Sequence, residues 1–139
     1  MAGLDITDYH IDSLARFVGP GNVVANLPAR LDRCDPFHKA AIETIATLRD
    51  RGVTVDVIEE PAKPRVRDLD FVTSYVNHYI CNGAIIMAEF GDTNSDQNAA
   101  AYMRAAYPNR EVIQINVDTL GELGSGIHCA TQQLPAQGN

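Results

Sequence analysis

The chain has 139 residues and a mass of 15.1 kDa, and 18 acidic against 11 basic side chains leave a formal net charge of −7. With 45% hydrophobic and 21% charged residues, it has the makeup of a single globular domain over residues 1–139 rather than of a disordered or collagenous chain. A pI near 4.9 argues against a nucleic-acid partner, and no apolar run reaches the roughly 20 residues of a membrane span. The start, Met1-Ala2-Gly3-Leu4-Asp5, lacks the basic and apolar regions of a signal peptide, so a cytoplasmic protein is expected. Cys34, Cys81 and Cys129 make an odd set without CxxC spacing, which reads as free thiols and suits neither a disulfide framework nor a zinc site.

Tyr9 to Val18 alternates as a strand, with Ile11, Ala15 and Phe17 on one face and Asp8, His10, Asp12 and Arg16 on the other. Gly19-Pro20-Gly21-Asn22 then turns the chain into Val23-Val24-Ala25, giving a hairpin. Asp35-Pro36 reads as an N-cap and first turn, and Ala40, Ile42, Ile45, Ala46 and Leu48 recur at helical spacing until Gly52. Val53 to Ile58 is a strand, and the charged, proline-bearing residues 59–70 read as an exposed connection. The same order then recurs. Ser74 to Cys81 predicts a strand, Asn82-Gly83 a two-residue hairpin turn, Ala84 to Ala88 the returning strand, Ser95 to Tyr107 a helix, and Glu111 to Val117 another strand. The offset is about 60 residues, so a ββαβ unit is used twice, with one further short strand expected at Ile127 to Gln132.

The densest chemical signal is Gly124-Ser125-Gly126-Ile127-His128-Cys129-Ala130-Thr131-Gln132-Gln133. Glycines such as Gly126 allow backbone close to a ligand, and Cys129 follows them where a thiol can face a cleft, although on spacing alone buried packing is the commoner use of a lone cysteine. If this segment is a strand, His128 points away from Cys129 and the base must come from elsewhere. His10 is the best candidate, since it shares a strand face with Asp12 and a His beside carboxylates suits proton transfer near neutral pH, with a solvated strand face as the plainer alternative. Asn77, between Tyr75 and Tyr79, faces either a cleft or a structural hydrogen bond. His38 reads as a helix-surface residue and His78 as strand packing; the Arg65/Arg67 pair is expected to be solvated, and Glu59-Glu60 to need no function.

Four blocks carry a resemblance to a known family: Asp5 to Phe17 (DITDYHIDSLARF), Ser74 to Gly83 (SYVNHYICNG), Phe90-Gly91-Asp92, and Gly126 to Pro135 (GIHCATQQLP). In that order they resemble agmatine deiminases, which belong with the bacterial-type peptidylarginine deiminases in the pentein superfamily. The resemblance implies an α/β fold, a partial pentein-type αβ-propeller with about two ββαβ modules at about 8–60 and 72–133, matching the repeat. It makes Cys129 the nucleophile, His10 the general acid/base and Asp12 the ligand of the guanidinium nitrogens, with no metal or organic cofactor. The implied reaction is agmatine plus water to N-carbamoylputrescine plus ammonia through a covalent thiouronium, in putrescine and polyamine biosynthesis.

Members of that family are more than twice this length, so this chain resembles their C-terminal portion, and about three of five modules lie outside it. Within the blocks, Tyr9 stands where a glycine is usual, Ser125 interrupts a glycine run, and Met87-Ala88 replaces an apolar-proline pair. The expected partner is a small cationic guanidine such as agmatine, together with a homo-oligomer or a separate N-terminal half, and neither nucleic acid nor membrane. Peptidyl-arginine as substrate, and a catalytically incomplete module that binds a partner, are the alternatives.

Overall fold

The computed structural model describes residues 10–68 and 71–135. Elements follow as β1 (Ala15–Gly19), β2 (Asn22–Leu27), α1 (Pro36–Asp50) and β3 (Thr54–Glu59), then β4 (Tyr79–Cys81), β5 (Ala84–Glu89), α2 (Thr93–Ala106), β6 (Glu111–Asn116) and the short α3 (Asp118–Gly121). Each half forms a three-stranded sheet, β1-β2-β3 or β4-β5-β6, in which an antiparallel hairpin is followed by a parallel strand across the helix. The expected ββαβ repeat is therefore present in both halves, and no described helix is long and apolar enough to cross a membrane.

Local chemistry explains the punctuation. The Asp35 carboxylate accepts from the amides of Phe37 at 2.8 Å and His38 at 3.3 Å, with Pro36 opening α1. Asp92 caps α2 in the same way, through the Ser95 amide at 3.4 Å. Gly83 turns the β4-β5 hairpin at φ 80°, a left-handed value that glycine reaches without strain.

Strand alternation divides each sheet between two environments. In the first sheet Val23, Ala25 and Val55 pack with Ile45 of α1, whereas Val24 and Ile58 point the other way into the main core. That core is built chiefly by the second half: Tyr75, Val76, Met87, Phe90, Ala99, Ala100 and Met103. Asp96, in the first turn of α2, is buried there and accepts from the Phe90 amide (2.9 Å), the Gly91 amide (3.0 Å) and the Tyr75 hydroxyl (2.7 Å). Three donors offset the desolvation of its carboxylate.

Three expectations need correction and a fourth an addition. The first strand begins at Ala15, because Ile11–Ser13 form a 3-10 turn; Asp8 and Tyr9 lie outside the described residues. Residues 74–78 are irregular, and only Tyr79–Cys81 pair in the sheet. There the Ser74 hydroxyl accepts from the Val76 amide at 3.3 Å and donates to Ser13 O at 2.6 Å, so side-chain bonds replace the ladder. In place of the strand expected over 127–132, residues 127–130 form a turn, closed by the Ala130 amide on Gly126 O at 3.2 Å. The connection after β3 is largely exposed as expected, Arg65 and Arg67 included, and Arg65 is in addition paired. Arg65 donates from Nε and Nη2 to both oxygens of Asp118 at 3.0 and 3.2 Å and pairs with Glu89 at 3.0 Å. Its stem crosses Gly91, where a Cβ would lie 2.6 Å away, and the guanidinium holds the Asp118 carboxyl below the usual carboxylate range.

His78 is fully buried, its Nδ1 3.3 Å from Tyr75 O, and burial with Arg16 nearby pushes it down from 6.5 to about 4. The unfolded chain therefore binds the extra proton between those values, and the stability due to neutral His78 is complete above pH 6.5 and is lost as pH falls toward about 4. A His78→Phe variant should lose less stability than the wild type across this window. The difference should approach roughly 3 kcal/mol at its acid end, read from urea unfolding at stepped pH.

Candidate active site

The two segments that matter are both turns. Leu14, buried, anchors the first, and Asn26 N donates to Leu14 O at 2.8 Å, fixing the 3-10 turn of Ile11–Ser13 beside the end of β2. The second follows α3: Gly124 adopts φ 66°, and Ile127, buried in the core, anchors the loop just before His128 and Cys129. Neither turn has strand periodicity, so alternation does not decide where their side chains point.

Asp12 is where the turns meet. Its Oδ2 lies 2.6 Å from His128 Nδ1 and 3.5 Å from Cys129 Sγ. One donor atom each from His10, Asp12 and Cys129 falls within 4.8 Å of the others. His10 and Cys129 are exposed, whereas the Asp12 side chain is only 16% exposed. Among the described residues Asp12 Oδ1 is buried without a hydrogen-bond partner. The cluster thus presents an accessible thiol, an accessible imidazole and a carboxylate oxygen with unused acceptor capacity. Nitrogen, oxygen and sulfur of these three residues are also donor types that zinc takes.

Asn77 sits beneath this cluster, only 2% exposed. Its Nδ2 donates to Ser13 Oγ at 3.1 Å and Cys129 Sγ at 3.3 Å, and its Oδ1 accepts from the His128 amide at 2.8 Å. Gly126 packs directly on it: a Cβ there would lie 2.3 Å from Asn77 Oδ1. Arg16 adds a half-buried cation that feels the charge of Asp12, and it donates to His78 O. Burial pushes the guanidinium down, and Tyr107 and Asp12 oppose that shift.

His10, Asp12, Cys129, Asn77 and Gly126 are therefore brought to one place. His128 was excluded by strand geometry, yet it is the direct partner of Asp12, because residues 127–130 turn. The signal that could have found it is Gly124 and Gly126 immediately before the segment and Pro135 after it, a pattern that favours turns over strands. Among the other histidines, His38 lies at the start of α1 with Nδ1 accepting from the Asp32 amide at 2.7 Å, and His78 packs in the core.

A Streptomyces coelicolor protein classed with the agmatine deiminases is 37% identical over 138 residues, which span 93% of this chain and 39% of the relative. The agmatine deiminase of Medicago truncatula is 32% identical, over 96% of this chain and 42% of its own. Substrate-bound agmatine deiminase from C. jejuni superposes with a TM-score of 0.78 over 92% of this chain and 38% of that one, at 24% identity, a likeness that speaks for the fold. The chain spans about two fifths of the length of the relatives it matches. The model of the Porphyromonas-type peptidyl-arginine deiminases matches residues 1–135, and the chain belongs to that family.

Proposed function

We propose that this chain carries the nucleophile-bearing part of a guanidine deiminase acting on agmatine. The observation that carries this reading is the convergence of His10, Asp12 and Cys129 within 4.8 Å, with an unpartnered buried oxygen on Asp12. A planar guanidinium offers parallel N–H donors, and Asp12 Oδ1 is an acceptor with nothing else to bind. With the guanidinium held there, the Cys129 thiolate attacks its carbon, forming an S–C bond. The tetrahedral adduct expels ammonia, which takes a proton from the His10 imidazolium, and a thiouronium remains. His10, now neutral, removes a proton from water as the oxygen attacks the same carbon. The remaining hydroxyl of this second adduct gives its proton to solvent as the S–C bond breaks, so the thiolate is restored and a neutral ureido product leaves. His128, 2.6 Å from Asp12 Oδ2, fixes the carboxylate that orients the substrate. A net charge of −7 favours a dicationic substrate, and the free thiols of Cys34, Cys81 and Cys129 suit a cytoplasmic setting. Peptidyl-arginine is the second reading, favoured by the matching family model, and citrulline formation in a peptide is its test.

The wider architecture proposed is a propeller of ββαβ units. In the first unit the sheet face carrying Val24, Asp56 and Ile58 is covered by α2 of the second, where Tyr102 donates to Asp56 at 2.9 Å. The corresponding face of the second unit carries Ile86, Ile113 and Ile115, and the last two are 36% and 40% exposed. A helix of a further ββαβ unit would cover it as α2 covers the first.

Agmatine incubated with the chain, or with a chimera in which residues 1–135 replace the matching segment of a full-length relative, should yield ammonia and N-carbamoylputrescine. Cys129→Ala should lower the rate at least a thousandfold and Asp12→Ala about a hundredfold. Undiminished release from the Cys129→Ala chimera would overturn the reading. A metal chelator should leave the rate unchanged, and loss restored by zinc would replace covalent with metal-assisted hydrolysis. On its own the chain should self-associate in sedimentation at micromolar concentration, and Ile115→Glu should shift it toward monomer.

A further inference from the structure

We propose that Asn77 is the positioning residue of this site: its carboxamide aims an N–H at the Cys129 sulfur and ties the turn bearing His10 and Asp12 to the turn bearing Cys129. The proposal rests on the deiminase reading only in taking Cys129 as the nucleophile.

The orientation of an amide side chain is ordinarily ambiguous, because oxygen and nitrogen have the same shape. Here it is not. The backbone N–H of His128, 2.8 Å away, can only donate, so the atom facing it is Oδ1. The other atom is then Nδ2, and its two hydrogens meet Ser13 Oγ at 3.1 Å and Cys129 Sγ at 3.3 Å. Both N–H groups and the carbonyl are engaged in a site that is 2% exposed. Rotation of the amide by half a turn would set an N–H against an N–H and leave the sulfur facing an oxygen.

Two neighbours hold Asn77 in this pose. Gly126 fits against its carbonyl with no room for a methyl group, since a Cβ would lie 2.3 Å from Oδ1 and 2.5 Å from Cγ. Glycine is required there for space and not for backbone freedom, because Gly126 is not among the glycines at positive φ. Ser13 is held in turn by Ser74, whose hydroxyl donates to Ser13 O at 2.6 Å. The carboxamide thus bridges three segments that are far apart in sequence, and it sets an N–H donor 3.3 Å from the sulfur, where a nucleophilic thiolate would carry its charge.

The test reads Cys129 alkylation by iodoacetamide in the full chain at fixed pH, quantified by peptide mass spectrometry, with Cys34 and Cys81 as references in the same molecule. Asn77→Ala and Asn77→Asp should each slow Cys129 labelling about tenfold relative to Cys34, the aspartate at least as much as the alanine. A purely space-filling or bridging role predicts the opposite for Asn77→Asp, which keeps shape and the acceptor for His128, and labelling like the wild type would overturn the proposal. Gly126→Ala should reproduce Asn77→Ala, yet add less than about twofold in the Asn77→Ala background. Full additivity would also overturn it. Half-buried Cys81 reports unfolding, and should Asn77→Ala unfold, the isosteric Asn77→Asp carries the decision. Deimination is not part of this readout. Labelling that falls as described in a chain that deiminates nothing leaves the clamp standing and removes the deiminase reading; the converse pattern removes the clamp alone.

Discussion

The carboxylate of Asp12 joins the two ends of the described chain. Its bond to His128 links residues 116 positions apart, and the thiol one residue further on shares the same oxygen. Closing a loop of that length costs conformational entropy, which one half-buried side-chain hydrogen bond would not offset. The closure is carried by apolar anchors instead. Leu14 on one side and Ile127 on the other are buried, and each lies within two residues of the polar groups it delivers. The polar contacts then choose the geometry of turns that packing has already brought together.

How much of this could be read from the sequence depends on which chemistry marks each segment. Asp35-Pro36, Gly52, Asn82-Gly83 and Pro108 mark turns and caps through their own backbone requirements, so α1, α2 and the turn of the β4-β5 hairpin were legible to within a few residues. The repeat was legible for the same reason. Segments 10–14, 74–78 and 127–130 were misread as strands, and all three carry Ser, Asn, Asp or His whose side chains bond locally and to one another across the fold. Alternation of polar and apolar residues occurs there by coincidence of anchoring, with Leu14, Val76 and Ile127 buried beside the polar residues Ser13, Asn77 and His128. His128 followed from that misreading. The pairings of Arg65 with Asp118 and of Glu60 with Asn26 were illegible because they span 53 and 34 positions, with no local pattern that announces the partner.

The two units use the same topology to different ends. The first has a small core of its own, Val23, Ala25, Ile45 and Val55, and gives Val24 and Ile58 to the second. The second buries large side chains such as Tyr75, Phe90, Met87 and Met103, with Tyr75 and Phe90 ring edges 5.1 Å apart between centroids. The stability of the first unit therefore rests on the second, and the connection between them is pinned rather than slack. Arg65 N donates to Phe90 O at 2.9 Å, and its side chain spans Glu89 and Asp118.

Buried polarity is concentrated at one end of both sheets. Asn26 closes β2, Ser74, Asn77 and His78 precede β4, and Asp96 opens the helix after β5; each is at most 6% exposed. These positions lie at the carboxyl ends of the parallel strands, the end at which open α/β sheets place their ligands. The opposite end is closed by plain turns at Gly21 and Gly83. Not every group at the site's end is satisfied. Glu60, bonded to Asn26 Nδ2 at 2.8 Å, is pushed by burial up to about 7, and among the described residues Asn26 Oδ1 and Asp12 Oδ1 are buried without partners. Glu60 protonation favours the fold, so its contribution is present below the unfolded value of 4.5 and is lost as pH rises through about 7, opposite in sign to that of His78. A sheet end that served stability alone would place apolar residues at these positions. Of the polar groups there, Ser74 and Asn77 hold the 3-10 turn and the Cys129 turn against each other, and Asp12 Oδ1, between those turns, stays buried without a partner among the described residues.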